Sequence, residues 1–139
     1  MAESAGGGDL NEMLGLMPFA KLLGIELDAA SPEEVRARMP WAPERCTAGG
    51  VMHGGALMGL ADSLGGICAF LNLPEGAQTT TVSSTTSFMR GVREGEVTAV
   101  ARPLHAGRKV IVVQTDLLDA DGKRVAQVTQ TQAVLAAQS

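Results

Sequence analysis

Apolar positions recur along this chain with two different periods, and the switches between them mark out its elements. From Leu10 to Leu23 the spacing is near-helical, with Leu10, Met13, Leu14 and Met17 followed by Phe19, Leu22 and Leu23 after Pro18. This predicts one short helix broken at the proline. Gly24 to Ala29 and Glu34 to Met39 alternate instead, through Ile25 and Leu27, then Val35, Ala37 and Met39, and Ser31-Pro32 between them completes the pattern of a hairpin. Trp41 to Met52 has no period and contains Pro43, Gly49 and Gly50, so it reads as a loop. After Pro74 and Gly76 come four strand-like runs rich in Val and Thr: Gln78 to Arg90, Glu96 to His105, Lys109 to Leu118 and Lys123 to Leu135. Turn signals at Glu94-Gly95, Ala106-Gly107 and Asp121-Gly122 separate them, and such short connections imply antiparallel pairing.

Between the two sets of strands lies the run His53 to Asn72, the stretch long and apolar enough for a buried helix, with an acid in its middle. At about 100° per residue, Leu57, Leu60, Leu64, Ile67 and Leu71 fall on one side, while Gly55, Gly59, Asp62 and Gly66 form a narrow stripe on the other. A glycine inside a helix costs about 1 kcal/mol relative to alanine, and an isolated carboxylate among apolar neighbours is disfavoured more strongly. Either the small residues let another backbone pack close while Asp62 reaches solvent, or the stripe lines a cavity or interface where Asp62 does chemistry. The whole pattern predicts an α+β domain: two strands, one long buried helix, then four strands, with one antiparallel sheet curled around the helix.

Composition narrows this further. A chain of 139 residues makes one domain, expected over residues 9–136 between a glycine-rich, disordered tail at 1–8 and a short tail at 137–139. No run reaches the ~18 uninterrupted apolar residues of a membrane span, and the start lacks the pattern of a signal peptide, so a cytoplasmic location with no membrane partner is expected. The net charge of −4 argues against nucleic-acid binding. Residues 1–85 carry 10 acids and 4 bases, residues 86–139 carry 5 acids and 7 bases, and anion-binding capacity is thus concentrated late in the chain. Cys46 and Cys68 are too few for a disulfide framework, and neither has a second ligand at zinc spacing, so no metal is expected.

The candidate chemistry gathers at the central helix. Near His53-Gly54-Gly55 the first backbone N–H groups lack intrahelical partners and the macrodipole is positive, which would stabilise a developing oxyanion. The Gly-Gly pair either admits a ligand carbonyl or simply makes a tight turn into the helix, and His53 either takes part in the chemistry or is a structural hydrogen-bonding partner. Asp62 lies eight residues beyond Gly54, about 12 Å along the axis. One chain cannot bring both to one atom. Two helices facing each other antiparallel across a two-fold axis could, which predicts a homodimer with two composite sites.

The segment Val51-Met52-His53-Gly54-Gly55 through Leu60-Ala61-Asp62, followed by Val82-Ser83-Ser84-Thr85, resembles the hotdog-fold acyl-CoA thioesterases of the phenylacetate-pathway (PaaI-like) type, over about Phe19 to Leu135. The resemblance implies a thioester hydrolase in which Asp62 is nucleophile or general base and the partner chain's Gly54 amide polarises the carbonyl. His53 would position the substrate or support the loop, and Ser83 would orient the water. Thr47 stands where many relatives have an amide side chain, and its hydroxyl can still hold a water. Coenzyme A, part of the substrate rather than a cofactor, would lie by Gly55 and meet Arg90, Arg108 and Lys109 with its phosphates. Homodimers would pair into homotetramers, as is common in relatives. Two other activities fit the same pattern: a hotdog-fold enoyl- or 3-hydroxyacyl-CoA hydratase-dehydratase, and a non-catalytic acyl-CoA binding domain.

Overall fold

The computed structural model describes residues 7–136, so residues 1–6 of the expected tail at 1–8, and the tail at 137–139, lie outside the described residues. Two short helices open it, α1 (Gly7–Gly15) and α2 (Pro18–Leu22). Helix α1 takes in Gly7 and Gly8, which the sequence pattern assigned to the tail, and its buried face consists of Leu10 and Leu14. The break falls where expected, because Pro18 sits in the first turn of α2, where its missing N–H does no harm. Strands β1 (Glu26–Ala30) and β2 (Val35–Pro40) follow as a hairpin. On β2 the alternation is complete: Val35, Ala37 and Met39 are fully buried while Arg36 points outward.

The loop from Trp41 to Met52 contains two 3-10 turns, Pro43–Arg45 and Ala48–Gly50. Gly49 and Gly50 hold φ of +84° and +76°, a left-handed pair that glycine adopts freely, and the Trp41 indole N–H closes the loop on the Gly50 carbonyl at 3.0 Å. The chain then enters α3 (Gly54–Leu71), capped by His53 at one end and Asn72 at the other. The Asn72 amide donates at 2.8 Å to both the Cys68 and the Pro32 carbonyls, tying the helix end to the first hairpin.

Strands β3 (Gln78–Phe88), β4 (Glu96–Ala106), β5 (Val110–Leu118) and β6 (Arg124–Leu135) complete one antiparallel sheet of six strands in the order β1-β2-β4-β5-β6-β3. Helix α3 lies across its inner face, packed on β2 to β6. Leu60 and Leu64 are fully buried between helix and sheet, each worth about 1.5–3 kcal/mol against exposure. By length and composition α3 could cross a membrane, with 18 residues at a mean hydropathy of 1.4, but in this fold its apolar face is the core. The order leaves β3 at one edge, hydrogen-bonded to β6 on one side only.

Candidate active site

The site begins with an exception on β6. Its inward positions read Ala126, Val128, Gln130, Gln132 and Val134, so two amides stand where alternation calls for apolar side chains, and both are buried. Opposite them on β3, Thr79 and Thr81 answer one amide: Gln132 Nε2 donates to Thr81 Oγ1 at 2.7 Å, and its Oε1 lies 3.0 Å from the Thr79 hydroxyl. The other, Gln130, points at α3, where its Nε2 donates to Asp62 Oδ1 at 3.3 Å.

Asp62 is exposed in the single chain and lines a cleft of about 340 Å³ between α2, α3 and the start of β3. Its other walls are Met17 to Ala20, Ser63, Gly66, Thr79 to Thr81 and Gln132, so Asp62 is its only ionisable side chain among the described residues. The cleft runs on into an apolar one of about 280 Å³, which shares Met17, Gly66 and Thr79 and adds Met13, Leu16, Ile67 and Phe70. A carboxylate at the mouth of an apolar groove, with hydroxyls beside it, is an arrangement for acting on a polar group that carries an apolar tail.

The start of α3 forms a second half-site. The His53 imidazole Nδ1 accepts the Gly55 N–H at 2.7 Å, while Ala56 and Leu57 both donate to the His53 carbonyl. The Gly54 N–H has no partner among the described residues. It opens on a cleft of about 360 Å³ lined by Val51, Met52, Leu57, Phe88, Arg90 and Gly91. A Cβ at residue 54 would come within 3.1 Å of the Phe88 ring, so only glycine leaves the ring in place.

Several expectations are corrected here. Ser83 lies outside the Asp62 cleft, because β3 carries a bulge between Thr81 and Ser83. Thr81 pairs with inward-facing Gln132 but Ser83 pairs with Thr131, and directly opposed residues share a face, so Ser83 is turned away from α3. Thr79 to Thr81 line the cleft beside Asp62 instead, with Thr79 and Thr81 opposite the inward-facing Val134 and Gln132. The glycine stripe does not lie bare throughout: α2 covers Gly59, where a Cβ would come within 2.7 Å of Leu23 Cδ1, and only Gly66 faces open space. Thr47 is exposed in the entry loop, its backbone N–H bonded to the Val51 carbonyl, and it is not part of the Gly54 cleft.

Gly55 lies on the far side of His53, in a third cleft of about 380 Å³ with Phe19, Arg45 and Cys46. Arg90 lines the Gly54 cleft. Arg108 and Lys109 are exposed on the β4–β5 turn, beside the end of β6. No group of three or more His, Cys, Asp or Glu among the described residues could hold a metal ion. The amides Gln130 and Gln132 escaped the sequence reading, although polar residues at the inward register of an alternating strand were a signal for them.

A six-stranded antiparallel sheet wrapped on one helix, carrying an acid in mid-helix and a free N–H at its start, defines a hotdog-fold domain. A sequence profile of the thioesterase superfamily matches residues 49–126, which include Gly54 and Asp62, and the chain belongs to that superfamily. It is 35% identical over 101 residues to a putative esterase of Haemophilus influenzae, covering 73% of each chain. Its identity to the proofreading thioesterase EntH of Cronobacter sakazakii is 30% over 117 residues, 84% of this chain and 79% of that one. A solved thioesterase structure from H. influenzae superposes with a TM-score of 0.89 at 28% identity, covering 99% of this chain and 95% of the other. A mutant thioesterase from Pseudomonas aeruginosa gives 0.87 at 32% identity, covering 96% of each chain.

Proposed function

We propose that the protein is an acyl-CoA thioesterase acting as a homodimer, with each active site built from Asp62 of one chain and the Gly54 N–H of the other. One observation carries the composite site. The two half-sites lie at opposite ends of the same edge strand, Thr79 to Thr81 beside Asp62 and Phe88 against Gly54. If the free edge of β3 pairs with its copy across a two-fold axis, the strands run antiparallel and each Asp62 cleft meets the partner's Gly54 cleft. The run of Thr and Ser along a strand of 11 residues with one free edge suits such pairing, since an edge of this length otherwise invites uncontrolled association.

In that site the thioester carbonyl oxygen accepts the Gly54 N–H while Asp62 takes a proton from a water that attacks the carbonyl carbon. The carbon–oxygen π pair moves onto the held oxygen, then returns as the carbon–sulfur bond breaks and coenzyme A leaves as thiolate, to be protonated by Asp62. Direct attack by the carboxylate would give an acyl-enzyme anhydride that water then opens; one turnover in ¹⁸O-water labels Asp62 only by this second route. The apolar cleft through Met17 to Phe70 takes the acyl group, and Arg90, Arg108 and Lys109 would meet the phosphates of coenzyme A.

The test is thiol release from acetyl-, hexanoyl-, decanoyl- and benzoyl-CoA by wild type, Asp62→Asn and Gly54→Val. Both variants should fall to a small residual rate, and mixing them should restore activity, because a mixed dimer has one site with an intact Gly54 and Asp62. Folded Asp62→Asn protein that turns over every substrate at the wild-type rate would refute the role of the acid, and failure of the mixture to regain activity would refute the shared site.

A further inference from the structure

We propose that Gln130 is a positioning residue for Asp62, pinning one carboxylate oxygen to the sheet so that the other is presented to the cleft. The inference rests on the reading of Asp62 as the reacting acid.

Gln130 is completely buried on the inner face of β6, between the inward positions of Val128 and Gln132. Its Nε2 reaches Asp62 Oδ1 at 3.3 Å, the one side-chain hydrogen bond made by Asp62 among the described residues. An ionised carboxylate only accepts, so it is the NH₂ end of the amide that must face it. That leaves Oε1 buried with no partner among the described residues. A buried, half-satisfied amide is worse for the core than a methionine or leucine of similar size, so packing does not account for its presence.

The helix also makes room for it. A Cβ on Gly65 would overlap the Gln130 amide, so Gly65, which lies off the glycine stripe, is the gap through which the amide passes toward Asp62. The neighbouring Gln132 cannot substitute, because both ends of its amide are engaged by Thr79 and Thr81. Asp62 thus has one oxygen held from beneath and the other free toward the groove that the acyl group would occupy.

The test is Gln130→Met, which keeps the volume and removes the N–H, assayed on whichever of the four acyl-CoAs wild type hydrolyses best. The expected result is a fall in kcat on the order of tenfold or more, with KM within about twofold and an undiminished Tm. In the Asp62→Asn background the same change should lower the residual rate no further. Should Gln130→Met fail to fold, Gly65→Ala displaces the amide while keeping it in the chain, and the same kcat-specific loss is expected. Wild-type kcat in Gln130→Met, with Asp62→Asn reduced to its residual rate, overturns the positioning role and leaves the acid's role standing. An equal loss in both backgrounds makes Gln130 structural and also overturns it. Full activity in Asp62→Asn overturns both.

Discussion

The His53 imidazole and the Gly55 backbone are locked together at the start of α3, Nδ1 accepting the Gly55 N–H at 2.7 Å. A Cβ on residue 55 would stand 2.9 Å from that nitrogen, so the second glycine of the pair is there for the cap. Since the cap consumes the Gly55 N–H, Gly54 is left with the donor that faces a cleft.

Loss of the cap should therefore cost stability. His53→Ala is expected to destabilise by about 1 kcal/mol, and His53→Asn, a good N-cap, to restore most of it. Denaturant unfolding at neutral pH measures both. Recovery of kcat by the asparagine variant would assign the imidazole a structural role, whereas an inactive but equally stable variant would assign it a chemical one.

Adjacent glycines in α3 should respond in opposite directions. Gly65→Ala gains about 1 kcal/mol of helix propensity but drives a Cβ into the fully buried Gln130 amide, at a cost of about 1–3 kcal/mol, so a lower Tm is expected. Gly66→Ala meets nothing within 4 Å in the single chain, and as a monomer it should gain up to about 1 kcal/mol. If Gly66→Ala instead weakens self-association in sedimentation, its face is covered by the partner.

Acid should selectively remove the contribution of Glu34. The hydrogen bond from Arg36 leads in holding its carboxyl below the ordinary 4.5, burial opposes it, and Arg102 adds a further lowering. Because the folded chain binds this proton less tightly than the unfolded chain, the contribution is complete above the ordinary value and fades as pH falls through the folded one. Glu34→Gln should cost about 0.5–1 kcal/mol at pH 7, the range for a part-exposed ion pair, with the difference from wild type fading as acid protonates the carboxyl below its ordinary value. Urea unfolding from pH 7 downward checks it; a difference independent of pH would show that the charge plays no part.

The two thiols should react at very different rates. Burial pushes the Cys68 thiol up to about 11 and closes it off from solvent, whereas Cys46 is half-buried in the entry loop, its Sγ donating to the Ala42 carbonyl at 3.3 Å. At pH 8 a disulfide reagent should titrate one thiol quickly and the second only on unfolding. Rapid reaction of both in the native protein would mean that α3 opens readily.

Much of the architecture could be read from residue order, because the signals that specify it are local. Strict alternation at Val35, Ala37 and Met39 placed β2, Pro18 placed the break between the first helices, and the leucine spacing from Leu57 to Leu71 placed α3 and its buried face. Asp62 stood out for the same reason, as a charge inside an apolar period. Ser83 was expected beside Asp62 from the family resemblance alone, and the bulge after Thr81 turns it away, an extra residue that residue order does not reveal. Gly59 was read as facing a partner because nothing local says that α2 folds back over it.

What the sequence determined by itself was the order of the main elements, the long apolar helix with its acid, and the distance along one helix that keeps Gly54 and Asp62 apart. The tertiary structure decided which groups surround each of them. Gln130 comes from 68 residues away to reach Asp62, and Thr79 to Thr81 line its cleft only because β3 lies beside β6 in that register. Such contacts depend on strand order, register and one glycine-sized gap in a helix, which no local pattern encodes because they are set by how the sheet closes around α3.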